Sequence, residues 1–236
     1  VIERQGSSPC TFACPAGIKA HGYVSLLRSG KYDEAFQLIL ESTPLVGSLG
    51  RACFAPCETE CTRGSLDGPL PIRRLKRFIA DTYYGNHPGG DPVPGSAPSL
   101  GNPTGKRVAV IGSGPAGLTA AWHLALKGHK VTVFEAASEP GGMLRLAIPP
   151  YRLPKDVVAR DVRNVTDLGV EIICGTRVDD LGELERKGFD AVLVAVGTHR
   201  PARLRVDGEE LPGVLPALYF LQLVNDRVTA TPKAPN

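Results

Sequence analysis

Two sets of residues in this chain have the types and spacing to do chemistry. The first is Gly112-Ser113-Gly114-Pro115-Ala116-Gly117, followed eighteen residues after Gly117 by Glu135. In a glycine turn of this kind, Gly112 permits the tight turn and Gly114 lets backbone approach a pyrophosphate. Gly117 lets a helix pack closely on a strand. Free N–H groups and the positive dipole end of the following helix suit an anion. Glu135 stands where a carboxylate accepts hydrogen bonds from the 2′- and 3′-hydroxyls of an adenosine ribose. The second set is five cysteines in the first 61 residues: Cys10 and Cys14 in CTFACP, then Cys53, Cys57 and Cys61 in CFAPCETEC. Within each group the spacing is four.

Clustered thiolates in a reducing compartment suit a soft metal, either iron–sulfur or zinc. The CxxC knuckles common in zinc sites are absent, and a proline directly follows Cys14, as at the Cys-Pro end of bacterial ferredoxin runs. Residue types alone leave iron–sulfur, zinc and unligated packing thiols open. Cys174, in the apolar run EIIC, reads as a small core residue.

The elements that must position these residues are legible as hydrophobic periodicity. Residues 108–111 form an apolar strand before the glycine turn. A helical pattern follows through Trp122, Leu124 and Leu126 until Gly128, and a second strand over 130–134 delivers Glu135. Upstream, helices over about 21–28 and 32–41, broken at Gly30, bring the two cysteine groups together. Residues 66–84 read as a short extended piece and then a helix. Ile72, Leu75, Phe78 and Ile79 recur at helical spacing, and Arg73, Arg74, Lys76 and Arg77 occupy the other positions. That basic face suits an acidic partner or a polyanionic cofactor, or is simply solvated. From 85 to 105, six of 21 residues are glycine and five are proline, which reads as a linker.

Beyond Glu135, GGMLRLAIPPYRLP reads as a loop near the dinucleotide. A helix follows from Pro154 through Val157, Val158, Val162 and Val165 to Gly169, then a strand over 170–174. Asp179 or Asp180 caps a short helix ending near Gly188, and DAVLVAVGTH reads as a buried parallel strand. It ends in the small residues Ala195, Gly197 and Thr198, which allow close approach of a cofactor. After Arg200 one further helix spans about 217–224. The resulting expectation is an α/β chain with a parallel, doubly wound sheet. It divides into a helical cysteine-rich domain (1–84), the linker (85–105), a Rossmann-like domain (106–225) and a tail (226–236).

Composition sets the outer bounds. At 236 residues and 42% hydrophobic content, the chain can bury one sizeable core or two smaller ones. A net charge of +3, with its cations interspersed among acids, gives no case for nucleic acid. No apolar run approaches the ~18 residues of a membrane span, and the first residues lack the layout of a signal peptide. The expectation is a cytoplasmic protein, whose thiols are kept reduced.

Taken together, CTFACPAGI, GRACFAPCETECTRG, GPLPIRRLKRFIAD, VAVIGSGPAGLTAA with Glu135, GGMLRLAIP and LVAVGT resemble the small-subunit (β-chain) family of NADPH-dependent glutamate synthase. That family is similar also to the N-terminal part of dihydropyrimidine dehydrogenase and to FAD subunits of larger redox complexes. The resemblance covers residues 10 to about 225. It implies an N-terminal helical iron–sulfur domain followed by a Rossmann-like FAD domain, incomplete relative to the family. FAD, rather than a nicotinamide, would occupy the first nucleotide site.

On this resemblance Gly112, Ser113, Gly114, Pro115, Ala116 and Gly117 hold the pyrophosphate region and Glu135 the AMP ribose. Gly142, Met143, Leu144 and Arg145 lie along the cofactor, Val178 contacts the adenine, and Ala195, Gly197 and Thr198 approach it at a strand end. Cys10, Cys14, Cys53, Cys57 and Cys61 are the metal candidates. By the family pattern Cys14, Cys53 and Cys57 belong to one cluster and Cys10 and Cys61 to another. An additional CxxC is missing, and Lys76 stands where dihydropyrimidine dehydrogenase uses a glutamine ligand. One [4Fe–4S] cluster is the upper expectation. NAD(P) would act only through a second nucleotide domain not contained in these residues, or on a partner.

The implied function is an FAD-containing subunit passing electrons between NAD(P)(H) and iron–sulfur centres of partner subunits, including the catalytic subunit of a larger complex. No acid–base catalyst is required, and His199 reads as a surface residue. The competing readings are a cofactor-bearing assembly module and an NAD-dependent dehydrogenase.

Overall fold

The computed structural model describes residues 8–88 and 98–229, with side chains described through Asn225. Residues 89–97 of the expected linker and 230–236 of the expected tail lie outside the described residues. The first half is helical: α1 (Pro9–Phe12), α2 (Ala20–Arg28), α3 (Tyr32–Leu40), α4 (Val46–Ala52), α5 (Pro56–Thr59) and α6 (Ile72–Asn86). The second half alternates: β1 (Arg107–Ile111), α7 (Pro115–Leu126), β2 (Lys130–Phe134), α8 (Met143–Leu146), α9 (Lys155–Thr166), β3 (Glu171–Ile173), α10 (Leu181–Arg186), β4 (Ala191–Val194) and α11 (Ala217–Thr229).

The four strands form one parallel sheet in the order β3-β2-β1-β4, with Val110 opposite Val133 and Leu193. Alternate residues of the strands feed opposite faces. Val110, Val131 and Val133 meet α7 and α9 on one face, while Ala109, Ile111 and Phe134 meet Leu184 and Phe189 on the other. The doubly wound expectation therefore holds. Asp180 caps α10 by accepting from the Gly182 amide, as its position suggested.

Four readings need correction. The run at 191–194 is, among the described residues, an edge strand paired only to β1, with Val194 55% exposed, rather than a buried strand. Its apolar composition reports strand propensity but cannot say whether a neighbour covers it. On α6, Lys76 is buried and Phe78 exposed. Lys76 lies four residues after Ile72 and three before Ile79, so it shares their inward stripe, whereas Phe78 points away. The 143–146 stretch closes a helical turn, α8, inside the expected loop. Cys174 is half-buried just beyond β3 rather than a core residue.

The two halves share one core. Buried residues from Ile18 through Phe36, Ile79 and Tyr84 to Trp122, Val158 and Val170 form a single contiguous cluster. At its centre Asp161 of α9 reaches the start of α4, accepting from Gly47 N (3.0 Å) and Ser48 N (2.7 Å), and from the Tyr84 hydroxyl of α6 (2.7 Å). Arg160 donates to the Tyr84 carbonyl at 2.6 Å, and Asn164 to that of Pro44 at 2.8 Å.

Candidate dinucleotide and thiol site

A cleft of about 950 Å³ opens at the C-terminal ends of β1, β2 and β4, within the size range of small-molecule sites. In a parallel sheet this is the edge where ligands bind, between crossovers that leave in opposite directions. Gly112, Gly114, Pro115, Ala116, Glu135, Gly142, Met143, Val178, Ala195, Gly197 and Thr198 all line it. The glycine turn is built as its spacing suggests. Gly112 has φ +101°, and a Cβ there would sit 2.5 Å from the Ala195 carbonyl oxygen. A Cβ on Gly117 would overlap the Gly112 carbonyl oxygen, whereas one on Gly114 would meet nothing closer than 4.0 Å. Gly114 is thus the open face of the turn, and α7 begins beside it with unsatisfied N–H groups.

Glu135 is fastened to that turn. Its Oε2 accepts from Ser113 N at 2.8 Å and Ser113 Oγ at 2.5 Å, and its Oε1 from Ala137 N at 2.8 Å. The Gly141 amide donates in turn to Ser113 Oγ at 3.2 Å, tying the second glycine loop to the first. Burial pushes the Glu135 carboxyl up, but hydrogen bonds from Ala137 and Ser113, with a smaller pull from His199, leave it below its ordinary value. An ionised acceptor at the cleft wall retains lone pairs for ribose hydroxyls.

Other expected residues stand behind the cleft rather than in it. Ser113 is fully buried beneath the turn, and Gly117 packs under it. Because α8 is helical, it turns Met143 and Leu146 to the cleft and Leu144 to the core. Arg145 pairs with Glu139 at 3.0 Å and donates to the Pro140 carbonyl at 3.1 Å. Thr176, Arg177, His199 and Arg200 also line the cleft and were not foreseen as lining residues. Their signal was position, since each follows a parallel strand at its C-terminal end. His199 is exposed, as its sequence reading held.

The thiols gather in the helical half. All five are free, and α1 packs against α5. Burial raises the Tyr23 hydroxyl pKa most, and the charges of Cys57, Cys14, Cys10 and Cys53 each add to it. Ala55 N donates to Cys53 Sγ at 3.3 Å from a left-handed backbone conformation (φ +58°). Cys61 stands at the start of the short 3-10 turn Thr62–Ser65, where its carbonyl accepts from the Gly64 amide at 2.8 Å. Among the described residues no three His, Cys, Asp or Glu side chains converge as a single-ion site would require. A four-iron cluster takes thiolate donors held on a wider frame than a single ion needs, and thiols are the donor type it takes.

Comparison with known proteins agrees with this geometry. Residues 5–87 match the family described as dihydropyrimidine dehydrogenase domain II, 4Fe-4S cluster, and residues 110–179 match the NAD(P)-binding Rossmann-like domain. The NADP(+)-dependent formate dehydrogenase subunit beta of Moorella thermoacetica is 41% identical over 93% of this chain and 34% of its own length. The NADPH-Fe(3+) oxidoreductase subunit beta of Geobacter sulfurreducens is 38% identical, over 86% of this chain and 30% of its own. The glutamate synthase [NADPH] small chain of Bacillus subtilis is 34% identical, over 90% and 42%. The chain spans less than half the length of these relatives. It is a homologue of the β and small subunits of NADP-linked oxidoreductases, built from a helical 4Fe-4S-type domain followed by a Rossmann-like nucleotide-binding domain.

Proposed function

We propose that this chain is an FAD-containing electron-transfer module, which passes electrons between a nicotinamide nucleotide and iron–sulfur centres of partner subunits. The observation that carries this reading is the shared core: one folded unit joins a thiol-rich domain to a dinucleotide cleft. Gly112, Gly114 and Ala116 offer backbone to the pyrophosphate, Glu135 takes the AMP ribose, and Val178 meets the adenine. Behind them Ser113 fixes the carboxylate, and Gly117 lets α7 close on β1. A flavin bound there supplies the exchange between two-electron hydride and one-electron chemistry. Cys10, Cys14, Cys53, Cys57 and Cys61 are the thiols from which a [4Fe–4S] site is drawn. We place the nicotinamide site outside residues 106–225, and the catalytic centre on a partner. No helix among the described residues is long and apolar enough to cross a membrane. Six unpaired cysteines suit a reducing compartment such as the cytoplasm.

A second reading, in which this cleft itself takes NAD(P), is favoured by the description of the matched domain. Glu135 then prefers NAD, because its carboxylate repels a 2′-phosphate. The absorption spectrum of the purified chain separates the two. Oxidised flavin absorbs near ~450 nm, with a broad bleachable shoulder added by a cluster. A colourless chain that binds NAD sinks the flavin reading. Bleaching of the flavin by NADH in the isolated chain would contradict a nicotinamide site elsewhere.

A further inference from the structure

The first turns of α6 lie against the loop between Cys53 and Cys57. Arg73 N donates to Glu58 Oε1 at 2.7 Å, the Arg73 guanidinium donates to the Cys53 carbonyl at 2.8 Å, and Tyr23 reaches the Ile72 carbonyl at 3.4 Å. On the inward stripe of this helix Lys76 is only 4% exposed, and among the described residues no carboxylate pairs with it. Its ammonium is close enough to Cys57 to oppose the effect of that thiol's burial, and Cys14 and Cys53 are close to Cys57 as well. The Ala55 amide adds a donor to Cys53 Sγ. Glu58 is the acid beside this group, and one of its oxygens is engaged by the Arg73 amide.

An ammonium enclosed beside thiols and lacking a carboxylate partner is stabilised where negative charge comes to it. Thiolates gathered on an iron–sulfur cluster bring that charge, and hydrogen bonds and net charge around the sulfurs set a cluster's potential. We propose that Lys76 is a tuning residue, whose ammonium raises the reduction potential of a four-iron cluster held through Cys14, Cys53 and Cys57. The inference rests on the iron–sulfur reading of this domain. Lys76 favours the one negative charge that a single-electron reduction adds, and the donor supplying that electron in the test is dithionite.

The test is an anaerobic dithionite titration, followed by electron paramagnetic resonance, of the chain reconstituted with ferrous iron and sulfide. Lys76→Leu and Lys76→Met lower the reduced-to-oxidised ratio at a fixed potential about tenfold, which is ~59 mV for one electron. Lys76→Arg keeps the wild-type midpoint. Unchanged midpoints in both neutral variants overturn the proposal. So does loss of iron from both while Lys76→Arg retains it, since Lys76 would then hold the site together rather than set its potential. A wild-type chain that takes up no iron sinks the cluster reading, and this inference with it.

Discussion

Asp161 accepts a hydrogen bond from the Ser48 amide at 2.7 Å across 113 residues of sequence. Its other oxygen takes Gly47 N and the Tyr84 hydroxyl, so one carboxylate binds α9 to α4 and α6. Burial pushes the Asp161 carboxyl up while these hydrogen bonds pull it back down, and each buried donor left unpaired costs about 1–3 kcal/mol. Asp161→Ala strands two backbone donors and a hydroxyl in the core, and is expected to cost on the order of 3–5 kcal/mol in urea denaturation. Tyr84→Phe should cost about 1 kcal/mol, and the double variant less than the sum, because both remove the same contact. Additive losses would show that the two side chains act separately.

Ser113 makes no contact with the open cleft, yet it fixes Glu135 and receives the Gly141 amide. Ser113→Ala leaves the fold intact and lets both move. Flavin affinity, followed by fluorescence quenching on titration with FAD, is expected to weaken about tenfold, or roughly 1.4 kcal/mol. An unchanged affinity would mean that the backbone amides alone hold the carboxylate.

Glu135 gives acid sensitivity a definite sign. Its folded-state carboxyl lies below its ordinary value, so the folded state binds fewer protons than the unfolded state in that interval. The stability it contributes is fully present above the ordinary glutamate value and is lost as pH falls through the lower folded value. Urea midpoints measured from neutral pH downward should therefore fall more steeply for the wild type than for Glu135→Gln. Parallel profiles would remove Glu135 as the source.

Gly117→Ala places a methyl group on the Gly112 carbonyl oxygen, between two backbones that cannot yield as a side chain can. The expected loss is about 1–3 kcal/mol, visible as a lower melting temperature. Gly114→Ala is the contrast, because a Cβ there meets open space. It should keep the melting temperature while weakening FAD binding.

Among the described residues no strand pairs with the outer edge of β4, where Leu193 and Val194 are exposed. Such edges invite pairing with other chains. The isolated chain is expected to self-associate as concentration rises, and Val194→Lys should shift its light-scattering mass toward the monomer. A wild-type mass that stays monomeric at all concentrations would argue that 195–216 shields the edge.

What the sequence made legible follows from how local each signal is. The strand–turn–helix around Gly112 and the acid at the end of β2 are written in neighbouring residues, and they reappear at the cleft. The inward turn of Lys76 was also readable, since it falls at helical spacing between Ile72 and Ile79. Giving all basic residues of α6 to one outer face obscured it. Asp161 offered a similar cue, a lone acid among Val157, Val158, Val162 and Val165 on the stripe of α9. Its partners were not legible, because Gly47 and Ser48 offer backbone amides that carry no side-chain signature. The edge position of β4 depends on strand order, which hydrophobic pattern does not encode.

The shared core bears on how charge would travel. Electron tunnelling falls off steeply with distance, so two centres joined by a hinge exchange electrons at a rate that varies with the hinge. Here, any rotation of the helical half against the sheet would pull Asp161 from three donors at once. The separation between thiols and cleft is therefore set when the chain folds, and the wiring is part of the fold.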